Sequence, residues 1–212
     1  MAQIFDWSIK QFLKEASSSA PTPGGGSVAA LCGSLAASMA SMVASLTVGK
    51  EKYRDVEAEM TTILEKTTAL INGFEELVAD DIAAFSGFMA VFKLPKDTED
   101  QKAERARRMQ EALKNATDTP LAIASACLEV LELAEQAALK GNKGAVSDAG
   151  VAAFLSEAAL NAALLNVDIN VPSIKDADYV GKAQAERTNL GAKAAAIKGR
   201  TAAAVANRLS EK

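Results

Sequence analysis

The stretch SVAALCGSLAASMASMVASLTV, residues 27–48, decides the fold class. It lies in a run from Ala16 to Gly49 that carries no charge across 34 residues. A helix of that length can cross a bilayer. Its content, however, is Ser, Ala, Gly and Met with few large aliphatics, and no second segment reads as a span, so it reads as a buried helix of a soluble protein. Ala29, Gly33, Ala37, Ser41 and Ser45 recur every fourth residue. They lay a stripe of small side chains along one face, where another backbone can approach closely. Such a helix belongs at the centre of a bundle or of a dimer.

The chain has 212 residues, 49% hydrophobic and 24% charged, with a net charge of −4 and no histidine. That apolar fraction is ample for one core, and a single domain over residues 1–212 is expected. Alanine fills 44 positions while aromatics make up 5%, which favours closely packed helices over a sheet of β-branched and aromatic side chains. The expected fold is all-α, a multi-helical bundle with long central helices. The lack of histidine excludes intrachain Ser–His–Asp and Cys–His nucleophile systems, HExxH-type zinc sites and histidine general bases. Proton transfer has to run through Asp, Glu, Lys, Tyr or water. Basic residues are scattered, which argues against a nucleic-acid partner. Cys32 and Cys127 sit in small apolar stretches and read as buried free thiols of a reducing compartment. The opening MAQIFDWSIKQF has no basic region followed by an apolar one, so the expected location is the cytoplasm, with no membrane partner.

Outward from the central stretch, the helices are punctuated. Asp6 or Ser8 can cap a short first helix carrying Ile9, Phe12 and Leu13. From Tyr53 to Phe92 apolar residues mostly keep three- and four-residue spacing, which predicts a helix ending at Leu94-Pro95 with Gly73 and Gly87 as places to bend. Unbroken it would be about 60 Å long, too long for a small monomer to enclose, so kinking or an oligomer is expected. Thr98 and Gln101 form a capping-box pattern before a charged, solvated helix, Glu99 to Asn115. Thr119-Pro120 reads as the start of a separate helix, Leu121–Lys140, stopped by Gly141. Ser147-Asp148 reads as the cap of an apolar helix from Ala149 to about Val167. Val171-Pro172 then precedes a final Ala-rich helix, Asp176 to Leu209.

Four places can carry chemistry. Pro21-Thr22-Pro23-Gly24-Gly25-Gly26-Ser27 feeds into the central helix, and its exposed backbone N–H groups at a helix N-terminus can hold a carboxylate or phosphate. The plainer alternative is a tight turn with Ser27 as N-cap. Lys50 ends the charge-free run, either as a cation favourably placed at a helix C-terminus or as a substrate contact. Asp81 has Leu77, Val78 and Phe85 as helical neighbours, so partial burial and a raised pKa are possible there. Asp148, Asn161, Asn166 and Asn170 put polar groups along an otherwise apolar run, where buried amides need partners and a ligand is one way to supply them.

Several stretches carry a resemblance: SAPTPGGGSVAAL at 19–31, LTVGK at 46–50, Asp81 with Ala84-Phe85, Leu94-Pro95-Lys96, Ala116-Thr117 with Pro120, SDAGVA at 147–152, and Leu164–Val167 with Ile169-Asn170. Together they resemble the cyclodeaminase/cyclohydrolase family of folate enzymes, which includes stand-alone bacterial methenyltetrahydrofolate cyclohydrolases and the C-terminal domain of formiminotransferase-cyclodeaminase. Stand-alone members often carry Asn before the LT pair, where this chain has Ser45. The resemblance implies an all-helical, intertwined homodimer acting on a one-carbon unit held between the 5- and 10-nitrogens of tetrahydrofolate. It implies no metal and no cofactor, since the tetrahydrofolate derivative is itself the substrate. Within it, Asp148 is the expected principal acid/base or electrostatic group, with Asp81 as second carboxylate and Lys50 as a group polarising the formyl oxygen or holding substrate. Thr22, Gly25, Gly26 and Ser27 would contact substrate, and Asn166 and Asn170 would bond the pterin amide or orient water.

The expected reaction is hydrolysis of 5,10-methenyltetrahydrofolate to 10-formyltetrahydrofolate. The alternative inside the family is the cyclodeaminase, which closes the formimino group to the methenyl bridge and releases ammonia. A non-catalytic helical dimer or folate-binding scaffold is the alternative from another class.

Overall fold

The computed structural model describes residues 4–211; Met1–Gln3 and Lys212, which the expected single domain includes, lie outside the described residues. Six α-helices carry the fold, with no strand among the described residues. They are α1 (Ile9–Ala16), α2 (Gly25–Ser45), α3 (Glu57–Val91), α4 (Glu99–Lys140), α5 (Val146–Asn170) and α6 (Ala177–Ser210). Ser8, not Asp6, caps α1 by accepting the Gln11 backbone N–H, and Asp176 caps α6 in the same way through Tyr179. The Thr98–Gln101 capping box opens α4, as its pattern predicts.

The helices run alternately up and down. Asp81 of α3 meets Ser27 at the start of α2, and Lys140 at the end of α4 pairs with Glu59 near the start of α3. Asn142, just past α4, bonds Thr47 just past α2. Hence α2, α4 and α6 share one direction, while α3 and α5 oppose them. The small-residue stripe packs inside this bundle: Ala29, Gly33 and Ala37 are buried, whereas Ser41 is half-buried and Ser45 exposed. Gly33 marks a close contact within this stripe, because a methyl group there would lie 2.5 Å from the Phe74 ring of α3 and 2.9 Å from the Cys127 sulfur of α4. Cys127 is buried and Cys32 half-buried, both are free, and burial pushes both thiols up.

Four sequence expectations need correction. The long helix starts at Glu57, after a 3-10 turn over Glu51–Val56, and α3 then runs 35 residues straight through Gly73 and Gly87. The two helices expected on either side of Thr119-Pro120 are one: α4 spans 42 residues with Pro120 inside it, and Thr119 bonds back to the Asn115 carbonyl instead of capping. A proline there deprives the carbonyl four residues earlier of its donor. That carbonyl, on Ala116, accepts the side-chain amide of Asn170 from α5 at 2.7 Å, which is why the helix continues. Third, α5 begins at Val146, so Ser147 and Asp148 lie in its first turn and Ala145 is the N-cap, with no side-chain bond. Fourth, α2 is not alone: the segment Lys143–Ser173 is also long and apolar enough to cross a membrane by length and composition. About half of each is buried in the bundle.

The close approach at residue 33 is testable. Gly33→Ala is expected to lower stability by about 1–3 kcal/mol through overpacking. Gly73→Ala, in a helix position with open space around it, is expected to raise stability by about 0.5–1 kcal/mol through helix propensity. Denaturant melts of both variants check the contrast.

Candidate active site

The glycine-rich junction does hold a carboxylate, and that carboxylate belongs to the chain itself. Gly24 is the N-cap of α2 and offers no side-chain bond. Ser27, expected as the cap, lies three positions further in and is fully buried. Its hydroxyl donates to Asp81 Oδ2 at 2.8 Å, so an aspartate from α3 sits over the N-terminus of α2. A methyl group at Gly26 would overlap Asp81 Oδ1 and lie 2.6 Å from its carboxyl carbon, so only glycine admits the approach. Burial raises the Asp81 pKa, and hydrogen bonds from the Ser27 hydroxyl and backbone N–H partly offset that rise. The half-burial expected from its helical neighbours is present.

Asp81 also lines a cavity of about 380 Å³ between α3, α4 and α5, together with Asn166 and Asn170. Phe85, Phe88, Leu113 and Ile169 make its apolar walls, and Thr119 adds a hydroxyl. Asn166 donates to the Ala162 carbonyl of its own helix, and its side-chain amide group stands 3.6 Å from where a Cβ on Gly25 would be. Asn170 uses one N–H of its side-chain amide on the Ala116 carbonyl, so the group expected at the substrate also holds α4. Its second N–H and its carbonyl oxygen remain as donor and acceptor. Asn161 is exposed and bonds Glu157, away from this cavity. Thr22, beside the cis Thr22–Pro23 bond, lines a neighbouring cavity that shares Phe85.

Lys50 and Asp148 are elsewhere. Both lie at the opposite end of the bundle, where α2 has ended and α5 begins. Asp148 and Asn166 are eighteen residues apart on one unbroken helix, hence about 27 Å. Lys50 is exposed and lies beyond the Leu46 C-cap of α2, so it does not cap that helix. The rest of the LTVGK stretch has a structural task that the sequence did not reveal. The Thr47 hydroxyl donates to the Val43 carbonyl at 2.7 Å and accepts the Asn142 backbone N–H at 2.8 Å. The Asn142 amide donates to the Leu46 carbonyl, and the Tyr53 hydroxyl accepts the Lys143 N–H, so the turn before Asp148 is tied down. Among the described residues no three Cys, Asp or Glu side chains converge as metal ligands would.

The Formiminotransferase-cyclodeaminase family profile matches residues 8–189. The chain belongs to the formiminotransferase-cyclodeaminase family. It is 46% identical over 189 residues to a methenyltetrahydrofolate cyclohydrolase of Methylorubrum extorquens, covering 89% of this chain and 91% of that protein. It is 34% identical to a formimidoyltransferase-cyclodeaminase of Sus scrofa over 79% of this chain, which is 31% of that longer protein. A crystal structure of formiminotetrahydrofolate cyclodeaminase from Thermotoga maritima superposes with a TM-score of 0.88 at 29% identity, covering 97% of this chain and 99% of that one. The all-α fold of the family is therefore the fold of this chain. Phe85 was singled out from sequence as a neighbour of Asp81 but not as a cavity wall, and Phe88 was not singled out, although spacings of four and seven residues after Asp81 place both on the same helix face.

The raised Asp81 pKa has a consequence of definite sign. A carboxyl whose folded pKa exceeds its ordinary value of 3.8 binds more protons folded than unfolded, so its favourable contribution is full below that value and is lost as pH rises through the folded pKa. Asp81→Asn is expected to flatten the fall of melting temperature with pH above about 4, while leaving the Ser27 hydroxyl an acceptor oxygen. Melting curves across pH check it; an unchanged slope would mean that Asp81 is not desolvated.

Proposed function

We propose that this protein hydrolyses 5,10-methenyltetrahydrofolate to 10-formyltetrahydrofolate. The observation that carries the reading is the 46% identity over nearly the whole length of a methenyltetrahydrofolate cyclohydrolase. A 380 Å³ cavity with one half-buried carboxylate, two amides and aromatic walls suits a flat pterin with an amide edge. The substrate cation is its own electrophile. Water adds to the methenyl carbon, a carboxylate accepts a water proton, and the bond from that carbon to the 5-nitrogen breaks. The hydroxyl proton ends on the 5-nitrogen as the formyl carbonyl forms. The overall reaction consumes one water and releases one proton, with a carboxylate and an ammonium as sufficient protein groups. In this reading Asp148 is the acid/base or electrostatic group, Lys50 polarises the formyl oxygen, and Asp81, Asn166 and Asn170 hold the pterin. Ser27, Gly25 and Gly26 build the Asp81 seat, and Thr22 contacts substrate from the adjoining cavity. The reading carries with it one functional domain over residues 1–212, a cytoplasmic location, a folate as the only small-molecule partner, and no metal, nucleic acid or membrane.

It also requires two copies. Asp148 and Asn166 stand too far apart along α5 for one reacting carbon to meet both within a chain. The same two helices that carry these ends, α2 and α5, expose large apolar side chains: Val28 and Leu35 on α2 with Leu46 at its C-cap, and Val151, Phe154, Leu165 and Ile169 on α5, the last of them 75% exposed. Exposed apolar side chains gathered on two neighbouring helices are the mark of an interaction surface. A two-fold axis perpendicular to α2 and α5 near their midpoints buries these faces against each other. It sets the Lys50 and Asp148 end of one protomer against the Asp81 and Asn166 end of its partner, giving an intertwined homodimer with two composite sites.

The second reading, closure of formiminotetrahydrofolate with loss of ammonia, is favoured by the similarity to formimidoyltransferase-cyclodeaminases and by the Thermotoga maritima structure. Supplying each substrate separately decides between them. The expected result is enzyme-dependent loss of the methenyl chromophore without ammonia release from the formimino substrate. Asp148→Asn is expected to slow turnover by roughly 10²-fold or more, and Lys50→Met to raise KM or lower kcat. Ammonia release would favour the deaminase, no change with either substrate a scaffold, and full activity of Asp148→Asn would remove its assigned role.

A further inference from the structure

Lys50 and Asp148 stand at the same end of the bundle, on segments far apart in the chain. Lys50 follows Gly49, whose φ of +75° is the only positive value among the described residues and turns the chain back after α2. It is the N-cap of the 3-10 turn Glu51–Val56. Asp148 lies in the first turn of α5, whose N-cap Ala145 makes no side-chain bond. A helix start without a cap leaves its first N–H groups unheld, so the aim of Asp148 depends on what secures the residues just before it.

One side chain reaches from the Lys50 segment to that place. The Tyr53 backbone N–H donates to the Lys50 carbonyl at 2.8 Å. Its hydroxyl accepts the Lys143 backbone N–H at 2.9 Å and donates to Asn142 Oδ1 at 3.3 Å. Asn142 Oδ1 also accepts the Gly144 N–H, which caps the short 3-10 turn Lys143–Ala145 leading into α5. The Tyr53 ring is half-buried, with Lys52 Nζ 5.6 Å from its centroid, so the ring is held as well as the hydroxyl. We propose that Tyr53 is a positioning residue that sets Asp148 against Lys50, acting through Asn142 and the Lys143 amide. Its hydroxyl is engaged as donor and as acceptor by the protein itself, so it takes no part in proton transfer. This deepens the reading above and rests on the roles given there to Lys50 and Asp148.

The test sets the two tyrosines of the chain against each other. Tyr53→Phe removes only the hydroxyl that holds Lys143 and Asn142. At a temperature where circular dichroism shows the variant folded, its kcat on methenyltetrahydrofolate is expected to fall about tenfold with KM nearly unchanged, on the scale where a displacement of about 1 Å costs about 10²-fold. Asn142→Ala, which removes the oxygen that Tyr53 bonds, is expected to move kcat the same way. Tyr179→Phe is the control. The Tyr179 hydroxyl lies 2.6 Å from Asp118 Oδ1 and 3.1 Å from the Lys114 carbonyl, joining α6 to α4, and its loss is expected to lower the melting temperature and leave kcat as it is. Amide exchange reads the same contact without turnover: the Lys143 N–H is expected to exchange faster in Tyr53→Phe and not in Tyr179→Phe. In a Lys50→Met background Tyr53→Phe is expected to cost less than in wild type, because one of the two groups it aligns is gone. Full kcat in Tyr53→Phe, or an equal cost in both backgrounds, would overturn the positioning role, while a slow Asp148→Asn left the assigned reaction standing. An equal fall in ammonia release from the formimino substrate would keep the positioning role and overturn the assigned reaction.

Discussion

The carboxylate of Asp81 reaches the N-terminus of α2 because residue 26 has no side chain. That approach fixes the candidate site on one side of the bundle. It supplies the cap that Gly24 lacks, ties the last turns of α3 to the first turn of α2, and leaves a half-buried acid at the mouth of a cavity bounded by α4 and α5. The same junction explains why a glycine stands immediately before the buried Ser27: residue 26 makes room for an anion that the protein provides. An external phosphate would have to displace Asp81 to occupy the same place.

A second constraint acts at a distance. Because α5 is unbroken from Val146 to Asn170, the groups at its two ends are held apart as by a rod. The hydrogen bonds around Thr47 and Asn142 fix one end, and the Asn170 bond to Ala116 fixes the other. The chain thus holds an ordered cluster of polar groups at each end of α5, with exposed apolar side chains between them. The antiparallel pairing proposed above brings the two clusters together and covers the exposed leucines, valines and phenylalanine of α2 and α5.

Most helices were legible in the sequence because their signals are local. The cap at Asp6 or Ser8, the Thr98–Gln101 box, the Leu94-Pro95 break and the Gly141 stop all depend on neighbours within a few residues. What was misread depends on partners far along the chain. Pro120 looked like a helix start because its missing N–H is rescued by Asn170, fifty residues later and invisible to local reading. Ser27 looked like a cap because Asp81 was not known to lie above it. Asp81 was recognisable as a half-buried acid from its apolar helical neighbours, and Phe85 and Phe88 were recoverable from their spacing. The separation of Asp148 from Asp81 was not legible, since motif order along a chain says nothing about which end of a bundle each motif reaches.

The central claim is that a working site takes its Asp81 end from one protomer and its Asp148 end from the other. The direct measurement mixes two variants that each lack one of these carboxylates and are each expected to be strongly impaired, Asp81→Asn and Asp148→Asn, after dissociation and reassociation of their subunits. Random pairing makes half of the dimers mixed, and each mixed dimer has one site with both native carboxylates, so about a quarter of wild-type cyclohydrolase activity is expected to return. If mixing restores no activity although mixed dimers form, the two carboxylates act from the same chain and the composite site is wrong.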